Sequence, residues 1–208
     1  MKKFFKILLI ILGILVACVA LLFRSWLIEP LSAQNMPIAD VREGDVIFQT
    51  SQSEQSPLIQ IGTRSRITHC GIIVIRDGKP YVLETLRTLV LTPLDKFIAR
   101  GVDNRYWIKR SSKENIKIEY NSYLGKRYDL SFSFDNDIYY CSELVYDIYL
   151  KQLGIKLCEP KKVDDYLILC TDKIPQIENT MKKRGINNDQ YVVAPVDIFE
   201  SDYLKSIK

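Results

Sequence analysis

Histidine is nearly absent from this chain: its 208 residues carry one, His69. That scarcity argues against a zinc-type metal site, where several imidazoles or thiolates at short spacing share an ion. It also leaves one candidate wherever an imidazole base is needed. Cysteine is sparse as well. Cys18, Cys70, Cys141, Cys158 and Cys170 include no C-x-x-C pair, and their density is far below that of a disulfide scaffold. No internal repeat or low-complexity tract is present, which excludes a solenoid or an array.

A basic field is missing too, despite a net charge of +4. Lys2, Lys3, Lys6 and Arg24 flank the first apolar run, and without them the 29 Lys and Arg residues fall level with the 25 Asp and Glu. The remaining chain is neutral, and no nucleic-acid partner is expected. Met1–Lys6 forms a basic stretch ahead of an apolar run from Ile7 to Phe23, and Phe4, Phe5 and Trp26–Ile28 bring the whole near bilayer-spanning length. Residues 1–28 are therefore expected to be a signal anchor or a lipoprotein signal. The uninterrupted run past Cys18 fits an uncleaved anchor, whereas Leu15-Val16-Ala17-Cys18 is like a bacterial lipobox; a conventionally cleaved signal is the third option. Lysines ahead of the run place the domain outside the cytoplasm.

Residues 29–36 form a short polar linker with Pro30, and the domain spans 37–208. Asp45–Thr50 is strand-like after the turn at Arg42–Asp45, and Leu58–Gly62 suggests a short helix after the polar Ser51–Pro57. Cys70–Ile75 and Tyr81–Thr85 flank Asp77-Gly78 as a β-hairpin. A helix over Leu94–Arg100 stopped by Gly101 and a strand over Arg105–Lys109 follow. Ser112–Leu124 is expected to be helical, although its apolar period is mixed. A helix through Leu144, Val145, Ile148 and Tyr149 carries Cys141 one turn earlier, with Asp135, Asn136 or Asp137 as cap and Gly154 as stop. Gln190–Ala194 reads as a last strand ended by Pro195. Together these give an α+β domain with a sheet packed against helices.

Chemistry concentrates on His69 and Cys141. A thiol at the start of a helix is stabilised as thiolate by free N–H groups and the macrodipole, and an imidazole nearby completes a nucleophile–base pair. Glu84 lies on the returning strand of the hairpin, where a carboxylate can hold the imidazole and stabilise its cationic form. Each has a plainer alternative: a satisfied histidine, a buried core cysteine, a solvated strand glutamate. Cys70 adjoins His69 in sequence but points to the opposite face of its strand, so it is expected to face away from the imidazole, into the core beside Ile72 and Val74. Cys158 and Cys170 either pair or act as small buried hydrophobes.

Gly44–Ser51, Thr68–Ile72, Tyr81–Glu84, Tyr123–Asp129 and Tyr140–Val145 follow one another in an order that resembles the YiiX/YaeF-type permuted papain-like amidases, relatives of the NlpC/P60 hydrolases. The resemblance runs from about Val41 to the C-terminus. It implies a circularly permuted papain-like fold, with Cys141 as nucleophile, His69 as general base and Glu84 as the orienting residue. Cys70 departs from the aliphatic residue expected there. A tyrosine is expected to line the site, and Tyr128, Tyr166 and Tyr191 are candidates. The implied function is a membrane-tethered, extracytoplasmic cysteine hydrolase that cleaves an amide, with cell-wall peptides as the substrate suggested by location. A lipid or N-acyl amide hydrolase or acyltransferase, and a non-catalytic binding module, are the alternatives. No metal or organic cofactor is expected.

Overall fold

The computed structural model describes residues 40–134, 136–167 and 174–207. The N-terminal apolar run with Cys18, and the expected choice for Cys170, lie outside the described residues. Among the described residues, no helix is long and apolar enough to cross a membrane.

The chain enters through a turn in which the Asp45 carboxylate accepts the Arg42 N–H (2.8 Å). The same carboxylate receives Arg110 in a two-pronged pair, 2.7 Å on each side, which ties the start of β1 (Val46–Gln49) to the distant strand Trp107–Ser111. The helix α1 (Ser56–Thr63) carries Pro57 in its first turn, where the fixed φ of proline suits the helix. The hairpin β2 (His69–Arg76) and β3 (Lys79–Thr85) follows. Its turn residues Asp77 and Gly78 have φ of 51° and 71°, the two positive values that match the twist of the flanking strands. Next come β4 (Leu89–Pro93), α2 (Leu94–Ala99) and β5 (Trp107–Ser111). The long helix α3 (Cys141–Leu153) ends at Gly154, left-handed at φ 70°. The C-terminal part contains β6 (Lys161–Lys162), α4 (Val163–Leu167), α5 (Ile174–Arg184), β7 (Tyr191–Val192), α6 (Pro195–Phe199) and β8 (Leu204–Ser206).

Six strands form one antiparallel sheet in the order β4-β3-β2-β1-β5-β8, and β6 pairs with β7 apart from it. Alternation along the strands sorts side chains onto two faces. Ile47, Ile73, Val82 and Ile108 pack under Leu94 and Phe97 of α2. Val46, Phe48, Cys70, Ile72, Val74 and Leu83 pack under Leu144, Val145, Ile148 and Tyr149 of α3. Leu144, Val145 and Ile148 are fully buried, and each such side chain contributes about 1.5–3 kcal/mol. This burial fixes α3 across the sheet and so places its first residue, Cys141.

Two expectations fail and a third is met only in part. Ser112–Leu124 is not a helix. Its Ile118 N–H is bound by the Glu43 carboxylate (2.8 Å) and its Glu119 N–H by Gln152 (2.9 Å), so side chains replace the helical ladder. Neither Asn136 nor Asp137 caps α3; the cap position is Tyr140, and Asp137 has φ 58°. Asp135 lies outside the described residues. Gln190–Ala194 holds only the short β7, and Pro195 opens a helix where it was expected only to end a strand. The strand that closes the main sheet is β8.

Candidate active site

The first turn of α3 is clamped to the segment after β7. Ser142 Oγ donates to the Val193 carbonyl (2.7 Å), and Val193 N–H donates to Tyr140 Oη (3.1 Å). The Tyr140 N–H is met by Glu143 Oε2 (3.4 Å). Cys141 thus sits at a rigid helix start whose leading N–H groups lack intrahelical partners.

His69 opens β2. In the register that pairs Ile72 with Leu83, Glu84 stands over Gly71 on the same face as His69. A Cβ at Gly71 would meet Val82 Cγ1 at 2.5 Å, the Leu83 carbonyl oxygen at 2.7 Å and Glu84 Cβ at 3.3 Å. The missing side chain therefore leaves room for the carboxylate to reach along the strand, and His69 Nε2 lies 2.7 Å from Glu84 Oε2. Arg100 binds the other carboxylate oxygen, and Thr92 also hydrogen-bonds it. Phe97 stacks on the imidazole, with centroids 5.7 Å apart. Since Nε2 is engaged, Nδ1 is the ring nitrogen left for Cys141, which His69 also hydrogen-bonds.

The electrostatics follow from these contacts. Burial works against ionised Glu84, but His69, Thr92 and Arg100 outweigh it and hold the carboxyl below its usual range. Burial likewise opposes a charged imidazole, yet Cys141 and Glu84 raise His69 to about 10. Cys141 is pulled well below the ordinary thiol range, first by a hydrogen bond from Cys70 and then, against burial, by His69. Cys70 is pushed the other way, by burial and by the neighbouring Cys141 charge. The favoured state is therefore a Cys141 thiolate beside a His69 imidazolium, with a neutral Cys70 thiol donating to the thiolate. Cys70 points away from the imidazole face and into the core, as expected. That core face is also the one covered by α3, so its thiol meets Cys141 rather than standing apart from it. Sequence alternation gave the face but not what covers it.

Two cavities meet at Cys141. One, about 130 Å³, is walled by Leu58, Phe132, Val163, Leu167, Met181 and Val192 and is almost wholly apolar. The other, about 510 Å³, is lined mainly by polar residues, among them Gln49, Thr68, His69, Thr85, Arg87 and Arg100. Ile59, Tyr128 and Cys141 border both. Of the candidate tyrosines, Tyr128 therefore stands at the junction, held by Gln55 (3.2 Å) and kept a neutral phenol by its burial. Tyr166 lines the apolar cavity only and is bound to Asp197. Tyr191 is exposed and lines neither. Sequence reading missed Arg87, Arg100 and the apolar wall, since the residues that build them are scattered along the chain.

A family model described as permuted papain-like amidase enzyme, YaeF/YiiX, C92 family, matches residues 40–208. The uncharacterized protein YiiX of Escherichia coli (strain K12) is 36% identical over 174 residues, which cover 79% of this chain and 84% of that protein. The crystal structure of the metalloprotein yiiX from Escherichia coli O157:H7 superposes with a TM-score of 0.69 at 33% identity, covering 80% of this chain and 96% of that one. Among the described residues of this chain, no group of three or more His, Cys, Asp or Glu side chains is placed to hold a metal ion. The resemblance expected from the ordered motifs is thereby met over nearly all of the domain. This chain belongs to the YaeF/YiiX family of permuted papain-like cysteine amidases.

Proposed function

We propose that the chain hydrolyses an amide with an apolar acyl half, through a Cys141–His69–Glu84 triad and a thioester intermediate. The observation that carries this reading is the continuous contact from Glu84 through His69 to Cys141 at the start of a buried helix. The Cys141 thiolate attacks the carbonyl carbon and forms the C–S bond. Backbone N–H groups in the first turn of α3 stabilise the oxyanion. The C–N bond breaks as His69 gives its proton to the leaving amine. His69 then takes a proton from water, which attacks the thioester and releases the carboxylic acid.

The two cavities support an assignment of the two halves of the substrate. The leaving amine must lie within reach of the imidazole that protonates it. His69 lines the polar cavity and not the apolar one, so the amine belongs on the polar side and the acyl group on the apolar side. An apolar cavity of this size accommodates an apolar group of about six carbons. Between the two expected substrate classes, this favours N-acyl amides over polar cell-wall peptides. The basic-then-apolar N-terminus supports a membrane tether with the domain on the extracytoplasmic side.

The test is acid-quenched turnover of an N-hexanoyl amide. The reading predicts hexanoyl mass on the Cys141 peptide and amine release, both abolished in Cys141→Ala. Amine release that persists in Cys141→Ala contradicts it. An added acceptor amine that captures the hexanoyl group in preference to water moves the assignment to acyltransferase.

A further inference from the structure

Resting on that assignment of the amine side, we infer that the leaving amine carries an anionic oxygen group, carboxylate or phosphate, bound in the polar cavity by Arg87. The wall of this cavity contains two guanidinium groups, Arg87 and Arg100, and no carboxylate. The carboxylate behind it, Glu84, is fully buried and already engaged by His69 and Arg100. Arg100 is thus committed to the triad. Arg87 is exposed, and no ion pair or side-chain hydrogen bond engages it among the described residues.

Unmet polar groups collect at the same wall. Gln49 Oε1, Thr85 Oγ1 and Arg100 Nε are three of the four buried side-chain atoms without a hydrogen-bond partner among the described residues, and all three residues line this cavity. Gln49 and Thr85 are each 1% exposed. Buried polar groups are rarely left unpaired, and those that are tend to mark functional sites. A cavity lined by cations and spare polar groups, opening onto a thiolate–imidazolium pair, selects an anion by charge and offers its amine nitrogen to His69. Its volume, about 510 Å³, exceeds what a bare amine or ammonia requires. The guanidinium of Arg87 forks onto the two oxygens of a carboxylate or phosphate in the manner that lysine does not.

The test uses matched amides on the full chain. N-hexanoylglycine is compared with N-hexanoylglycinamide, and N-hexanoyl-phosphoethanolamine with N-hexanoylethanolamine; whichever anionic member is preferred separates a carboxylate from a phosphate. The proposal predicts a kcat/KM at least about tenfold higher for an anionic member than for its neutral twin, the low end for a charge-assisted hydrogen bond. Arg87→Gln abolishes that preference by raising KM for the anionic member alone, whereas loss of a merely structural residue lowers activity on both twins. Equal rates on both twins in the unmodified protein overturn it. A second readout is independent of hydrolysis: the rate of Cys141 alkylation by iodoacetate relative to iodoacetamide. A ratio that drops several-fold in Arg87→Gln while none of the amides is cleaved leaves the anion site standing and removes the hydrolase reading. A ratio indifferent to Arg87→Gln overturns the anion site whatever the hydrolysis shows.

Discussion

The thiol of Cys70 hydrogen-bonds Cys141, joining the first residues of β2 to the first turn of α3. Burial keeps Cys70 protonated, so it serves as a donor to Cys141. Removing that donor destabilises the thiolate. In Cys70→Ala the apparent pKa of Cys141 is expected to rise, because the thiolate loses a hydrogen bond that favours its charged form. The pH profile of Cys141 alkylation checks this, and an unmoved low-pH limb contradicts it.

Glu84 holds the imidazolium and is itself held by Arg100 and Thr92. Glu84→Gln removes the negative charge, lowers the pKa of His69 from about 10, and leaves Arg100 beside a neutral amide. The expected loss in kcat/KM is about a hundredfold or more, the scale of general acid–base catalysis. The alkaline limb of the rate profile, which reports loss of the His69 proton, moves to lower pH. Steady-state rates across pH measure both effects.

Gly71 gives Glu84 its path to His69. Gly71→Ala places a methyl 2.5 Å from Val82 Cγ1 and 2.7 Å from the Leu83 carbonyl oxygen, in the interior of a hairpin whose backbone cannot give way. Overpacking of this kind costs about 1–3 kcal/mol. Urea titration is expected to show that loss, with kcat falling as the His69–Glu84 contact opens.

Met181, buried in α5, forms part of the apolar wall. Met181→Trp fills space that the acyl group needs. The kcat/KM for an N-hexanoyl amide is expected to fall about tenfold or more, since each displaced CH₂ is worth about 0.8 kcal/mol, while that for the N-acetyl analogue changes little. A matched loss on both substrates moves the acyl group out of this cavity.

Local signals carry the parts of the fold that sequence makes legible. Asp77-Gly78 announces the hairpin because both positions need positive φ, and Gly154 announces the end of α3 for the same reason. That hairpin and that helix start are what bring His69, Glu84 and Cys141 into one place. Ser112–Leu124 misleads because Ile116, Ile118 and Tyr120 reach the main core without a helical ladder: Ile116 fills the space over Gly44, and the Ile118 N–H is taken by Glu43. The short strands β4 and β8 escape notice because each is defined by its neighbour in the sheet and carries no turn signal of its own. Tyr140 caps α3 through Glu143, a pattern hidden behind the more obvious cap residues at Asn136 and Asp137. Arg87 and the apolar wall are invisible in sequence, since only the closed fold collects their residues around Cys141.

The central claim is a thiolate–imidazolium pair between Cys141 and His69. The most direct measurement is the rate of thiol alkylation at Cys141 across pH, read by peptide mass spectrometry, with and without His69→Ala. Rapid labelling of Cys141 below neutral pH, abolished by His69→Ala, is expected, while Cys70 and Cys158, both raised by burial, stay slow. An accessible Cys141 that labels no faster than an ordinary thiol, and is indifferent to His69→Ala, contradicts it.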